Sequence, residues 1–221
     1  MGVIVAIDGP AGAGKSSVAQ AVADRLGFCR VDTGAIYRAV TLLALERGIP
    51  PEDQPVLGEL TRTLDLRFEG GRVFLGDRDV TQDIRSRAVT EAVSPVAAVP
   101  EVRAGLLELQ RRLGRAHPRG AVLEGRDIGT VVFPDAEVKV FLTASDEERA
   151  RRRHAELAAA GRPDAYDDVL ANIRGRDAFD SGRETAPLEL AASAVEIDTT
   201  DHGFDAVVEM VLALVEPARS D

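Results

Sequence analysis

The sequence predicts an α/β fold, and three observations carry that expectation. The chain opens on an apolar strand, Val3-Ile4-Val5-Ala6-Ile7, which runs through a glycine-rich loop into a helix. Strand-like and helix-like stretches then alternate through most of its 221 residues, the rhythm of a sheet covered by helices. One segment near residues 64–80 breaks that rhythm with a short antiparallel pattern.

Each element follows in turn. Ser17 to Ala23 carries apolar residues three or four apart, the helical period. Phe28-Cys29-Arg30-Val31 reads as the second strand, ending at Asp32-Thr33-Gly34. Residues 35–46 place Ile36, Val40, Leu43 and Ala44 on one helix face, and Gly48-Ile49-Pro50-Pro51 stops the helix. Residues 52–63 read as a helix interrupted at Pro55. Leu64 to Phe68 alternates with period two, Gly70-Gly71 turns the chain, Arg72 to Leu75 returns, and Arg78 to Val80 adds a third short strand. This unit reads as an insertion into the main architecture. Pro100 to Leu113 is helical, with Val102, Leu106, Leu109 and Leu113 on one face. Ala121 to Glu124 is the third core strand and Val138 to Leu142 the fourth. Ser145 and Glu148 have the spacing of a capping box. The helix they open is expected to end at Gly161-Arg162-Pro163. A helix over Tyr166 to Phe179, a fifth strand over Ala194 to Asp198 and a closing helix over Phe204 to Val215 complete the chain.

Composition excludes several classes. The net charge of −10 disfavours nucleic acid and anionic membranes as general partners. The single cysteine, Cys29, excludes an internal disulfide and fits a reducing compartment, where it reads as a small core residue. No apolar run approaches the roughly 18 residues of a membrane span, and the chain enters its first strand without a signal-peptide pattern. Ala6 replaces the Ser or Thr that an N-terminal lipidation signal needs. A cytoplasmic enzyme is the resulting expectation.

The loop after the first strand, Gly9-Pro10-Ala11-Gly12-Ala13-Gly14-Lys15-Ser16, fits the phosphate-loop pattern G-x-x-x-x-G-K-[ST] at every required position. Its glycines let backbone N–H groups converge on one phosphate, and the helix behind adds its partial positive end. Lys15 can reach the β- and γ-phosphates, and the Ser16 hydroxyl suits Mg²⁺. Residues 9–17, with Ser17 last, are therefore the candidate nucleotide-binding segment. The chain holds 25 arginines and only two lysines, Lys15 and Lys139. A compact ammonium retained in so arginine-rich a chain fits a phosphate loop better than a planar fork.

Other polar groups fall where core strands end, the edge at which open α/β sheets bind ligands. These are Asp32-Thr33, Glu124-Gly125-Arg126-Asp127 and Asp198-Thr199-Thr200. Arg149, Arg151, Arg152 and Arg153 lie on one helix. Three adjacent residues cover about 200° of helix circumference, so at least one can face a phosphate while the others make a solvated face. Arg176 and Asp180 are i and i+4 on a helix. Their spacing admits a surface ion pair, or a carboxylate held by arginine to receive a sugar hydroxyl. His117, His154 and His202 show no metal-ligand spacing, and there is no Ser-His-Asp pattern. Phosphoryl transfer to another phosphate needs neither, because the acceptor is already largely anionic at neutral pH and catalysis reduces to positioning and charge neutralisation.

With these residues in view, nearly the whole sequence resembles the bacterial cytidylate kinase family of nucleoside-monophosphate kinases. The resemblance rests on Ile7-Asp8-Gly9-Pro10 leading into the phosphate loop, Asp32-Thr33-Gly34-Ala35-Ile36-Tyr37-Arg38, and Glu124-Gly125-Arg126-Asp127 through Pro134. Arg176-Asp177 through Leu188 and Ile197-Asp198-Thr199-Thr200 extend it. It implies a P-loop kinase with a five-stranded parallel sheet flanked by helices, a small antiparallel β insertion and a helical lid. The core would comprise residues 1–38, 101–148 and 166–221, the monophosphate-binding region 39–100 and the lid 149–165. Thr33, Arg103 and Asp127 resemble the cytosine-contacting positions, Arg38 and Arg126 those gripping the acceptor phosphate, and Arg176, Asp180 and Arg183 those around the ribose. The catalytic group would be Lys15, Arg126, Asp127, Arg149, Arg152 and Arg153. Thr33 stands where Ser also occurs and keeps the hydroxyl. Glu124 stands where Asp also occurs and lengthens the carboxylate's reach.

The implied reaction is ATP + CMP to ADP + CDP, with dCMP also accepted, Mg²⁺ as cofactor, small molecules as the only partners and a monomeric state. A carboxylate such as Asp127 accepts from cytosine N4 and an arginine donates to N3, whereas uracil opposes both. The alternatives are a P-loop kinase for UMP or a cofactor precursor and a nucleotide-dependent switch. The common form of such a switch carries an N-K-x-D motif that this chain lacks.

Overall fold

The computed structural model describes residues 2–161 and 163–218. The chain divides into two compact units, Met1–Val31 with Leu113–Asp221, and Asp32–Arg112.

The first unit is built on the parallel sheet. β1 (Val3–Asp8) leads through the glycine loop into α1 (Lys15–Leu26), and β2 (Cys29–Asp32) follows. In the second unit α2 (Thr33–Glu46) and α3 (Gln54–Arg62) precede an antiparallel sheet of β3 (Leu66–Glu69), β4 (Arg72–Leu75) and β5 (Arg78–Asp79). A 3₁₀ turn at Asp83–Arg85, α4 (Arg87–Ala98) and α5 (Pro100–Arg115) return the chain to the main sheet. There β6 (Gly120–Glu124), a π-helical turn at Ile128–Val132, β7 (Val138–Thr143), α6 (Asp146–Ala159), α7 (Tyr166–Gly182), β8 (Val195–Asp198) and α8 (Phe204–Ala218) complete the fold.

The five strands lie in the order β2-β6-β1-β7-β8, with β1 parallel to both β6 and β7 and β7 parallel to β8. The chain leaves β1 for the edge at β2, returns to β6, and then builds outward on the other side. The direction of build reverses at β1, so its C-terminal end is the crevice where such sheets take ligands. The core joins Val5, Ile7 and Val122 of the sheet to Val18 and Val22 of α1 and to Val211 of α8. Each such fully buried side chain contributes about 1.5–3 kcal/mol, which fixes the loop between β1 and α1 to a rigid base.

Two local expectations, at Pro55 and at the capping box, are corrected, and the expected end of α6 is met. Pro55 does not interrupt α3, because it falls in the first turn, where its missing N–H costs nothing. The capping box forms only in half. Ser145 Oγ accepts the Glu148 N–H at 3.3 Å, but the Ser145 N–H donates to Thr200 Oγ1 at 2.9 Å. The Glu148 carboxylate turns instead to Arg151 and Arg152, each at 2.7 Å. α6 ends at Ala159 with Gly161 at φ 70°, and Arg162 of the expected break lies outside the described residues.

Candidate active site

Gly9 must be glycine. Its φ is 144°, and a Cβ there would sit 1.9 Å from the Leu142 carbonyl oxygen of β7. Gly14, at φ 87°, caps α1 with no side-chain hydrogen bond. The first-turn N–H groups of α1 are thus left to an anion rather than closed by a cap. Arg149 and Asp177 pin the loop from outside. Arg149 Nη1 donates to the Ala11 carbonyl at 2.9 Å and to Asp177, and the Ala11 N–H approaches Asp177 Oδ1 at 3.4 Å.

Lys15 is buried, and its Nζ donates to the Pro10 carbonyl at 2.6 Å. Burial pushes its pKa well down, and the charges of Arg126 and Arg176 push it further, against Glu124 and Asp8. Arg176 is lowered in the same way, by burial first and then by Arg126, with Arg153 adding to the effect. Lys15, Arg126, Arg176 and Arg153 therefore act on one another within the first unit, with Glu124, Asp8, Asp180 and Asp177 opposing them. An anion would relieve this mutual repulsion. Ser16 Oγ donates to Glu124 Oε2 at 2.5 Å, and Arg30 Nε lies 3.4 Å from the other carboxylate oxygen.

The predicted Arg176–Asp180 pair is corrected. Asp180 Oδ2 accepts from Arg126 Nε at 2.9 Å, and Oδ1 lies 3.7 Å from Arg183. Arg176 Nε is buried without a hydrogen-bond partner. Asp180 thus joins α7 to the strand end that carries Arg126.

Of the three expected lid arginines, two are committed within the first unit. Arg149 is buried, with Nε on the Ala144 carbonyl and Nη2 on Asp146. Arg152 holds Glu148, and through Nη1 and Nη2 the Thr199 hydroxyl and carbonyl. Arg153 pairs with Glu156 at 3.1 Å, with side chains 40% and 66% exposed.

In the second unit Asp32 caps α2 by accepting the Ala35 N–H at 2.9 Å, which fixes the buried Thr33 in its first turn. One turn on, Tyr37 lies under the Arg103 guanidinium, 5.4 Å from ring centre to Cζ. Arg103 Nη1 donates to the Ala97 carbonyl at 2.9 Å. Thr33, Tyr37 and Arg103 thus share one face. Arg38 is oriented by Thr90 Oγ1 at 3.0 Å and the Ile84 carbonyl at 3.3 Å.

Sequence reasoning gave no role to Asp177 or Asp8, although both sit in the quoted motifs. Neither residue's partners are close in sequence, so no spacing signal could have found them. A cavity of about 260 Å³ lined by Arg115, His117, Phe133 and Glu137 lies at the N-terminal strand ends, opposite the phosphate loop, and is no part of this site.

A glycine loop that opens a helix at the reversal strand of a parallel sheet, with a buried lysine at the start of that helix, defines a P-loop phosphotransferase. The fold is shared with a sugar kinase from Janibacter sp. HTCC2649, with TM-score 0.52 at 14% identity over 100% of this chain and 98% of that one. The chain belongs to the cytidylate kinase family, whose model matches residues 5–217. It is 50% identical to the cytidylate kinase of an Exiguobacterium species over 98% of this chain and 97% of that protein. It is 51% identical to that of Shouchella clausii over 97% and 96%, and 49% identical to that of Mycobacterium leprae over 97% and 96%. Membership makes it a phosphotransferase that uses a phosphate group as acceptor and takes small nucleotides as substrates. Among the described residues no helix is long and apolar enough to cross a membrane.

Proposed function

We propose that the protein transfers the γ-phosphoryl group of ATP in line to the phosphate of CMP, giving ADP and CDP, and that dCMP is also accepted. The observation that carries this reading is the phosphate loop itself, with Gly9 at φ 144° and Gly14 at φ 87° leading into α1 and Lys15 buried at the start of that helix. The loop N–H groups of residues 9–17 hold the donor phosphates. Lys15 leaves the Pro10 carbonyl to meet the β- and γ-oxygens, where charge develops in the transition state. Arg38 and Arg126 grip the acceptor phosphate. Thr33, Arg103 and Asp127 read cytosine. Arg176, Asp180 and Arg183 surround the ribose, with Asp180 held ready by Arg126 and Arg183.

Arg153 is the lid arginine that reaches the transferred group, because Arg149 and Arg152 spend their donors on the loop, on Thr199 and on neighbouring acids. Closure of residues 149–165 then excludes water from the reacting phosphates. This lid, the monophosphate-binding region 39–100 and the remaining core segments are the working parts in this reading. Ser16 and Glu124 supply oxygen donors alone, the chemistry Mg²⁺ prefers. When bound, Mg²⁺ would neutralise charge on the donor phosphates. A monomer in the cytoplasm, without nucleic-acid or membrane partners, completes the proposal. The test is an ADP-release assay across CMP, dCMP, UMP and AMP. CMP and dCMP should give the highest kcat/KM, and preference for UMP or AMP would refute the acceptor assignment.

A further inference from the structure

Asp8 is a buried acid with no part in the roles above. It ends β1, one residue before the phosphate loop, and is 5% exposed. Its Oδ1 accepts the Ile128 N–H at 2.9 Å and its Oδ2 accepts the Gly129 N–H at 2.7 Å. One residue earlier, the Ile7 carbonyl accepts the Gly125 N–H at 3.0 Å. The end of β1 thus grips the chain beyond β6 at two points, and only Arg126 and Asp127 lie between them. Both residues assigned to the acceptor are stapled, on either side, to the strand that leads into the phosphate loop.

We propose that Asp8 is a positioning residue. Its carboxylate sets Arg126 and Asp127 in register with the phosphate loop, and so governs both acceptor alignment and the preference for cytosine. The inference rests on the acceptor reading of Arg126 and Asp127. A carboxylate that uses both oxygens on backbone N–H groups makes two charge-assisted bonds, and an amide in its place can accept only through its one oxygen. Burial raises the Asp8 pKa to about 6, the two N–H bonds oppose the rise, and the charge of Asp127 adds to it. Packing alone does not call for an ionisable group buried beside a second carboxylate.

The experiment measures kcat and KM for CMP, UMP and ATP in the wild type, Asp8→Asn and Asp127→Ala. Asp8→Asn leaves one buried N–H facing an NH₂ group, so kcat/KM for CMP should fall about tenfold or more. The CMP-to-UMP ratio should shrink with it, while KM for ATP stays within about twofold of the wild type. If Asp127→Ala shrinks the ratio and Asp8→Asn does not, the acceptor reading stands and the proposal is overturned. If Asp127→Ala leaves the ratio unchanged, the acceptor reading itself fails and the proposal falls with it. A main effect of Asp8→Asn on KM for ATP also overturns it, since Asp8 would then support the donor loop. Asp8→Glu, with its carboxylate displaced by one methylene, is read in the same way if the amide variant does not fold. The wild type supplies an arm that needs no variant. Between pH 8 and pH 5 the CMP-to-UMP ratio, in which the identical substrate phosphates cancel, should fall as Asp8 takes up its proton. A flat ratio overturns the proposal. The charged groups facing Asp8 in that profile are Asp127, from the loop after β6, and Lys15, from α1.

Discussion

Replacing Lys15 with Met should separate stability from catalysis. Methionine keeps most of the stem that lies in the core and deletes the ammonium. The free protein loses one buried hydrogen bond from a charged donor, Nζ to the Pro10 carbonyl, worth about 1.5–3 kcal/mol. It also loses a cation that burial and the charges of Arg126 and Arg176 already disfavour. The two effects oppose each other, so the net loss is smaller than the hydrogen bond alone, within about 3 kcal/mol, or at most roughly 6–12 °C in Tm for a chain of this length. Turnover behaves differently. A preorganised donor aimed at developing charge is worth about 2.7–4 kcal/mol, or roughly 10²–10³ in kcat. The assay is kcat with saturating CMP beside a thermal melt, with and without ATP. The variant should melt within that range of the wild type without ATP, gain less stability from ATP, and turn over at least about a hundredfold more slowly. Near-normal kcat in the folded variant would remove Lys15 from the chemistry, and a collapse of Tm would make it structural.

Three further outcomes are expected. Asp127→Ala should lower kcat/KM for CMP more than for UMP, changing their ratio by roughly 5- to 150-fold, and an equal loss for both would show that Asp127 does not read the base. Hydrogen exchange across residues 149–165 should slow only when donor and acceptor analogues are bound together, and equal exchange in free and doubly liganded protein would count against a lid there. The Asp8 pKa is raised from 3.8 to about 6, so the folded state holds more protons than the unfolded state in that window and stability falls as pH rises through it. Urea melts at pH 4, 5, 6, 7 and 8 should show the wild type losing about 2–2.5 kcal/mol relative to Asp8→Asn between pH 4 and pH 7, most of it by pH 6 and with no further change above about pH 7, and a constant difference would deny the shift.

The phosphate loop and the five strands were legible because their signals are local. An apolar run, a glycine pattern and a helical period suffice for β1, the loop and α1. The insertion was legible from period-two alternation around Gly70-Gly71. α4 was not read, although its buried Val89, Val93 and Val96 have helical spacing, because valines favour strands and Pro95 lies inside the helix. The π-helical turn at Ile128–Val132 carries no sequence signal of its own. Asp8 holds its first two N–H groups from more than a hundred residues away. Asp180 teaches the same lesson. Helical spacing offered Arg176 as its partner, but the tertiary fold brings Arg126 from 54 residues away, and spacing along one helix cannot report that. Conversely, the stacking of Arg103 over Tyr37 had no signal in the sequence, because the two residues are 66 positions apart.

The central claim is that phosphate is transferred to a cytidine nucleotide rather than released to water. The most direct measurement incubates the protein with ATP, Mg²⁺ and CMP and quantifies ADP, CDP and inorganic phosphate together. The account predicts ADP and CDP in equal amounts, little inorganic phosphate, and neither product when CMP is omitted. ADP accompanied by inorganic phosphate without CDP would contradict it and mark a nucleotide-hydrolysing switch instead.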